Sequence, residues 1–219
     1  MPRKCFLDLG GRSILEHVIY RCRSFDLTPV VATTRADEEI IEVCSHERIM
    51  CHAGSVRDKL ARWHAACNRF GITDFITVDC DDPLFDGELA HATYDLLLKR
   101  SRVIKPDPDA YLGSMGWGMT WNALDVICEK KASVDTEMIW KHFPPEIGAV
   151  QFDAKADWLE KKIRLTLDYE DDLAVIRTVW RELGGKVDRN RIINFFRDNP
   201  GLSVVNEWRN AEWKQLQEA

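Results

Sequence analysis

The chain has no block of five or six like charges and no basic stripe, which removes the usual footprint of a general nucleic-acid binder. It has no apolar run long enough to span a bilayer and no signal peptide, so the cytoplasm is the expected compartment. Its seven cysteines, Cys5, Cys22, Cys44, Cys51, Cys67, Cys80 and Cys128, contain no C-x-x-C pair and no zinc spacing, and they read as free thiols of a reducing compartment. The six histidines are scattered singly, without the order of a Ser–His–Asp hydrolase. No internal repeat and no low-complexity segment is present. With 45% hydrophobic residues, 30% charged residues and a net charge of -6, the chain is an ordinary globular one. Its 219 residues are enough for one sizeable core.

What is present is an alternation of short apolar runs with amphipathic stretches. Strands are expected at 27–33, 49–53, 74–80, 147–153 and 163–168. Helices are expected at 13–24, 37–47, 56–69, 86–99, 121–131, 134–142, 170–183 and 188–198. Ser13 with Glu16 three residues on makes a capping box for the first helix. Residues 105–120 (KPDPDAYLGSMGWGMT) are rich in Pro and Gly and read as an irregular excursion. The rhythm predicts an α/β fold with a mostly parallel sheet and helices on both faces. Residues 1–183 are taken as the main α/β domain and 184–219 as a helical C-terminal appendage. No strand precedes the first helix, although an open nucleotide-binding sheet normally begins with a strand and a phosphate-binding turn.

Four groups of residues are candidates for chemistry. In TVDCDDPLFD, Asp79, Asp81, Asp82 and Asp86 follow an apolar run that ends at Val78, so they fall at the carboxyl end of a strand, where ligands bind in open α/β sheets. Carboxylates grouped there suit a hard cation such as magnesium. Capping of the next helix accounts equally for Asp86. In LTLDYEDDLAVI, Asp168 ends a strand and can face the same edge as Asp81. Asp171 and Asp172 read as first-turn acids of the following helix. Pro2, Arg3 and Lys4 are either a phosphate grip or simply a basic N-terminus. Gly54-Ser55, followed by Arg57 and Arg62, is a strand, tight turn and helix start able to meet an anion.

Taken in order, these segments resemble the CMP-sugar synthetases, including the CMP-Kdo synthetases, and most of all the branch named for spore coat polysaccharide biosynthesis protein F. Met1-Pro2-Arg3-Lys4 is similar to the tail of that family's S-x-R-L/M-P-x-K loop. GGRSILEHVIYR (10–21), Ala32-Thr33-Thr34, GSVRDKLARW (54–63), Asp81-Asp82-Pro83-Leu84, Asp168 to Leu173 and NFFRDNPGLSVVN (194–206) follow in the family's order. The resemblance implies a three-layer α/β/α nucleotide-diphospho-sugar transferase fold whose first strand and most of whose phosphate loop are missing here. It implies a CTP-dependent cytidylyltransferase that joins CMP to an acidic sugar or related acceptor and releases pyrophosphate, for surface polysaccharide or glycan biosynthesis. Asp81 and Asp168 then bind Mg2+, Lys4 serves the phosphates, and Ala32, Thr33, Thr34, Arg62 and Asp79 contact the nucleotide. The implied partners are small molecules, with neither nucleic acid nor membrane, and the implied assembly is a homodimer. The rival readings are a catalytically inactive relative acting as a binding or assembly subunit, and another nucleotidyltransferase or glycosyltransferase on the same fold.

Overall fold

The computed structural model describes residues 1, 3–100 and 102–218. The expected capping box opens α1 (Ile14–Ser24). The Ser13 amide donates to Glu16 Oε2 at 2.8 Å and the Glu16 amide donates to Ser13 Oγ at 3.3 Å. The buried stripe of α1 is Ile14, Leu15, Val18, Ile19 and Cys22, set at helical spacing. Strand β1 (Val30–Thr34), helix α2 (Glu38–His46) and strand β2 (Met50–Gly54) form one parallel unit, in register from Val30 with Met50 to Thr34 with Gly54. Helix α3 (Lys59–Phe70) follows; its Asp58 cap accepts from the Ala61 amide at 3.0 Å.

A second sheet takes strands β3 (Asp74–Ile76), β4 (Val103–Lys105), β5 (Gly118–Thr120) and β6 (Val150–Gln151) in the order β3-β5-β4-β6. β5 is antiparallel to both neighbours, while β4 and β6 are parallel. The sheet is therefore mixed, where the sequence rhythm predicted a mostly parallel one. Helix α4 (Gly87–Arg100) joins β3 to β4, and α5 (Trp121–Lys130) follows β5. Helices α6 (Glu170–Leu183), α7 (Arg189–Asp198), α8 (Gly201–Val204) and α9 (Arg209–Glu218) complete the chain.

Alternation along the strands sorts the helices into two layers. Phe75, Val103 and Met119 pack with Leu60 of α3 and Leu124 of α5. Ile76 packs with Val18 of α1 and Ala90 of α4, and Ile104 with Leu89 and Leu97 of α4. The architecture is α/β/α. A further apolar cluster joins Leu165 and Leu167 to Val175 and Ile176 of α6 and to Ile192 and Phe196 of α7.

Four local expectations change. The excursion at 105–120 contains a strand, β5, hidden by its glycines. A Cβ on Gly118 would stand 3.0 Å from Thr93 Cγ2, and one on Gly116 would stand 2.0 Å from the Thr77 carbonyl oxygen. Only glycine admits so close an approach of backbone to backbone. Residues 163–168 form no continuous strand. Leu112 bridges Arg164, and the Leu167 amide donates to the Asp81 carbonyl at 2.9 Å, so the segment is held at both ends by irregular partners. The helix expected at 134–142 is only a 3-10 turn, Ile139–His142, because the Thr136 amide and hydroxyl are committed to Arg57 and Asp58. The strand expected at 74–80 stops at Ile76; beyond the Thr77 amide, which donates to Trp117 at 2.8 Å, the run has no ladder partner among the described residues.

Candidate active site

The first turn after the β3 run brings three acids together. Asp79, Asp81 and Asp82 each offer a carboxylate oxygen within 4.8 Å of the others. The Asp82 amide closes the turn onto the Asp79 carbonyl at 3.1 Å. Asp168 reaches the same place from the segment before α6, and the link is Lys4. Its ammonium lies 2.5 Å from Asp81 Oδ2 and 2.9 Å from Asp168 Oδ1. The two carboxylates expected to converge do converge, upon one positive charge.

The electrostatics follow from crowding. Burial pushes the Asp81 carboxyl above the usual carboxylate range, against the pull of Lys4, and the Asp79 charge adds to the rise. Burial pushes Asp82 much further, with Asp81 and Asp79 adding to it. Asp82 Oδ1 is buried with no hydrogen-bond partner. Burial alone would lower the Lys4 pKa; the charges of Asp81 and Asp168 outweigh it and raise the value. Lys59, at the start of α3, stands 3.5 Å from Asp79 and 3.5 Å from Glu137, and it too is held charged.

Asp168 is fixed from behind. Arg164 donates through Nη2 to Asp168 Oδ2 at 2.8 Å and through Nε to Asp172 Oδ1 at 2.8 Å. Asp172 Oδ2 in turn accepts the Asp168 amide at 2.9 Å and the Tyr169 amide at 3.0 Å. Asn206 donates to both the Arg164 carbonyl (3.0 Å) and Asp172 Oδ1 (2.9 Å).

The other expected residues are placed differently. Ala32, Thr33 and Thr34 lie at the carboxyl end of β1, and both threonine hydroxyls donate to Asp37, at 2.9 and 2.7 Å. Arg62 turns back over its own loop and donates to the Ser55 carbonyl at 2.7 Å. Arg3 pairs with Glu39 and Pro2 lies outside the described residues. Asp86 caps α4, accepting from the Glu88 and Leu89 amides, and holds Arg189 at 2.5 Å. A cavity of about 770 Å³ between the 105–120 excursion and the C-terminal helices is lined by Leu112, Lys161, Lys162 and Trp208; none of the eight expected site residues lines it.

Sequence reasoning missed Lys59 and the support role of Arg164, Asp172, Asn206 and Asn210, whose Oδ1 accepts from Arg164 Nη1 at 3.2 Å. One signal was available: Arg164 and Thr166 interrupt the apolar alternation Ile163, Leu165, Leu167, and a charge inside such a run needs a buried partner.

The residues fit a hard divalent cation. All candidate donors are carboxylate oxygens, one buried oxygen lacks a partner, and an ammonium already stands between two of the acids.

No protein-family model matches the chain. No curated protein matches it in sequence. Solved structures do match in shape. A cytidylyltransferase from Leptospira borgpetersenii serovar Hardjo-bovis (strain JB197) superposes with a TM-score of 0.81 at 17% identity, over 92% of this chain and 90% of that one. The fold is that of a nucleotidyltransferase. The CMP:2-keto-3-deoxy-manno-octonic acid synthetase, complexed with CTP, gives 0.64 at 11% identity over 83% and 93%. Rv0371c from Mycobacterium tuberculosis H37Rv, complexed with manganese, gives 0.59 at 11% identity over 80% and 91%. Among the described residues no helix is long and apolar enough to cross a membrane.

Proposed function

We propose that this chain is a Mg2+-dependent cytidylyltransferase that couples CTP to an acidic sugar or related acceptor. The carrying observation is the meeting of Asp81 and Asp168, from separate parts of the chain, on the single ammonium of Lys4. The likeness in shape to a cytidylyltransferase and to a synthetase complexed with CTP supports the choice of nucleotide.

In this reading the acceptor oxygen attacks the α-phosphorus of CTP, its bond to phosphorus forms, and the bond to the leaving pyrophosphate breaks. The step needs positioning and charge neutralisation, with no covalent protein intermediate. Asp81 and Asp168 would hold the cation, with Asp79 beside them. When bound, the cation supplies Lewis-acid neutralisation of the phosphate oxygens. Lys4, which stands between the two carboxylates at 2.5 and 2.9 Å, would serve the pyrophosphate oxygens. Ala32, Thr33 and Thr34 face the base and ribose, and Arg62 serves the nucleotide or sugar. The product enters surface polysaccharide or glycan assembly in the cytoplasm, as in the spore coat branch. The working assembly is a homodimer, for which the exposed Trp140 and Trp208 are suitable anchors.

Pyrophosphate release from CTP with Mg2+ across a panel of acidic sugars tests the reading. Activity with at least one acceptor, reduced about a hundredfold or more by Asp81→Ala, is expected. Calorimetric CTP binding that survives unchanged in Asp81→Ala, or equal turnover of GTP and UTP, overturns it.

A further inference from the structure

The bases around the acid cluster are not all held alike. Among the described residues, the basic side chains paired with Asp79, Asp81 and Asp168 are Lys4, Arg164 and Lys59. Lys4 is gripped at 2.5 and 2.9 Å, and Arg164, with no exposed surface, lies 2.8 Å from Asp168. These are the lengths of fully formed charge-assisted hydrogen bonds. Lys59 stands 3.5 Å from each of its two carboxylates, those of Asp79 and Glu137.

The cation of that trio is fixed and its anions are loose. The Lys59 side chain is 18% exposed, while Asp79 is 58% and Glu137 69% exposed. Its stem belongs to the first turn of α3, which Asp58 caps, and its ammonium lies 5.5 Å from the centre of the Trp63 ring. Ion pairs with exposed, flexible partners contribute little. A largely buried ammonium without a short hydrogen bond has lost water and gained no full replacement. An anion carried by a ligand can engage its rotatable donors and displaces only two long contacts.

The place restricts the ligand. An anion seated on Lys59 lies beside Asp79, whose carboxylate is within 4.8 Å of those of Asp81 and Asp82. It is therefore at the acid cluster, but on a different ammonium from Lys4, which the proposed function assigns to pyrophosphate. The acceptor in that reading carries an acid of its own, and no side chain described so far receives it.

We propose that Lys59 is the acceptor-binding cation of this site, its ammonium taking the carboxylate of the acidic acceptor. This rests on the cytidylyltransferase reading above. Asp79 and Glu137 then occupy the position that the acceptor carboxylate takes, and Glu137 is its exposed competitor. A phosphate oxygen of the nucleotide offers the same chemistry, and the assay separates the two sources.

Pyrophosphate release at saturating CTP and Mg2+ is measured with the best acidic acceptor and with its primary amide, which keeps the shape and loses the charge. Lys59→Met should raise the KM for the acid about tenfold or more, with calorimetric CTP affinity held within about twofold. Lys59→Arg should recover part of the loss. Glu137→Gln should lower the same KM by about twofold to threefold, because it removes a competitor. The amide should be turned over equally by the parent chain and Lys59→Met, which confines the effect to the charge pair. An unmoved KM, or equal losses with acid and amide, overturns the proposal. A fall in CTP affinity as large as the loss with the acceptor puts Lys59 on the phosphates and also overturns it. A parent chain that binds CTP yet turns over no acidic acceptor overturns the cytidylyltransferase reading itself, and this proposal with it.

Discussion

Arg164 grips Asp172 with two nitrogens on two oxygens, Nε to Oδ1 at 2.8 Å and Nη2 to Oδ2 at 3.2 Å, and neither side chain has any exposed surface. A buried ion pair is a poor source of net stability, but breaking one strands a charge in a low-dielectric interior. The Asp172→Ala variant is therefore expected to lose about 3–5 kcal/mol of stability, read as the shift of the urea midpoint. Arg164→Met in the same background should restore part of that loss, because it removes a buried guanidinium that has lost one of its two carboxylates. Asp172→Ala no less stable than the parent chain would contradict the burial of this pair.

Lys4 occupies the two carboxylates proposed to hold the divalent ion. Replacing Lys4 with methionine should raise the affinity of the nucleotide-free protein for Mn2+ by about tenfold or more, well within the ~4 kcal/mol that one charge pair about 4 Å apart has at an effective dielectric near 20. Asp168→Asn should lower it. Titration calorimetry with the metal alone reads both. The same Lys4→Met change should depress turnover with CTP, so metal affinity and activity move in opposite directions.

Glu16 is held below its ordinary pKa by the Ser13 hydroxyl and amide. A depressed carboxylate contributes stability that is fully present above its unfolded value of 4.5 and is lost as the pH falls through the lower folded value. Glu16→Gln should cost about 1 kcal/mol at neutral pH. The gap between variant and parent should close as the solution is acidified below that window. Parallel stability curves across the whole acid range would contradict the capping role.

Gly116 has no room for a methyl group, since its Cβ would lie 2.0 Å from a carbonyl oxygen of Thr77. Backbone cannot give way as a side chain can, so Gly116→Ala should destabilise by about 1–3 kcal/mol. Gly11→Ala is the contrast: it has open space around its Cβ but a φ of +89°, so its cost comes from backbone strain alone. Denaturant melts of the two variants separate crowding from strain.

The sequence declared most of the helices because their signals are local. The Ser13–Glu16 box, the acids at the start of α6 and the 3.6-residue apolar stripes are each complete within one segment. The strands were harder to read. β5 is three residues with a glycine at its head, and its glycine exists for the sake of Thr93, Ile76 and Ile104, all remote in sequence. Of the site, Asp81 and Asp168 were legible as acids that follow apolar runs, and Lys4 entered through resemblance. What stayed hidden was the layer behind them. Asp172 looked like a first-turn acid compensating a helix dipole, and nothing in a single sequence marks it as the anchor of Arg164. Arg62 was expected at the nucleotide through resemblance; the contact its guanidinium makes with the Ser55 carbonyl is set by loop shape and was not legible in the sequence.

Asn206 and Asn210 sit on the tail of the chain, yet their amides close the shell around Arg164, and Arg164 aims Asp168. The last turns of the polypeptide are thus a brace for a carboxylate far upstream. Clipping the chain after α7 would leave the acid itself in place and remove part of what keeps it pointed, so in a shortened protein Asp168 would lose its aim before the fold is lost.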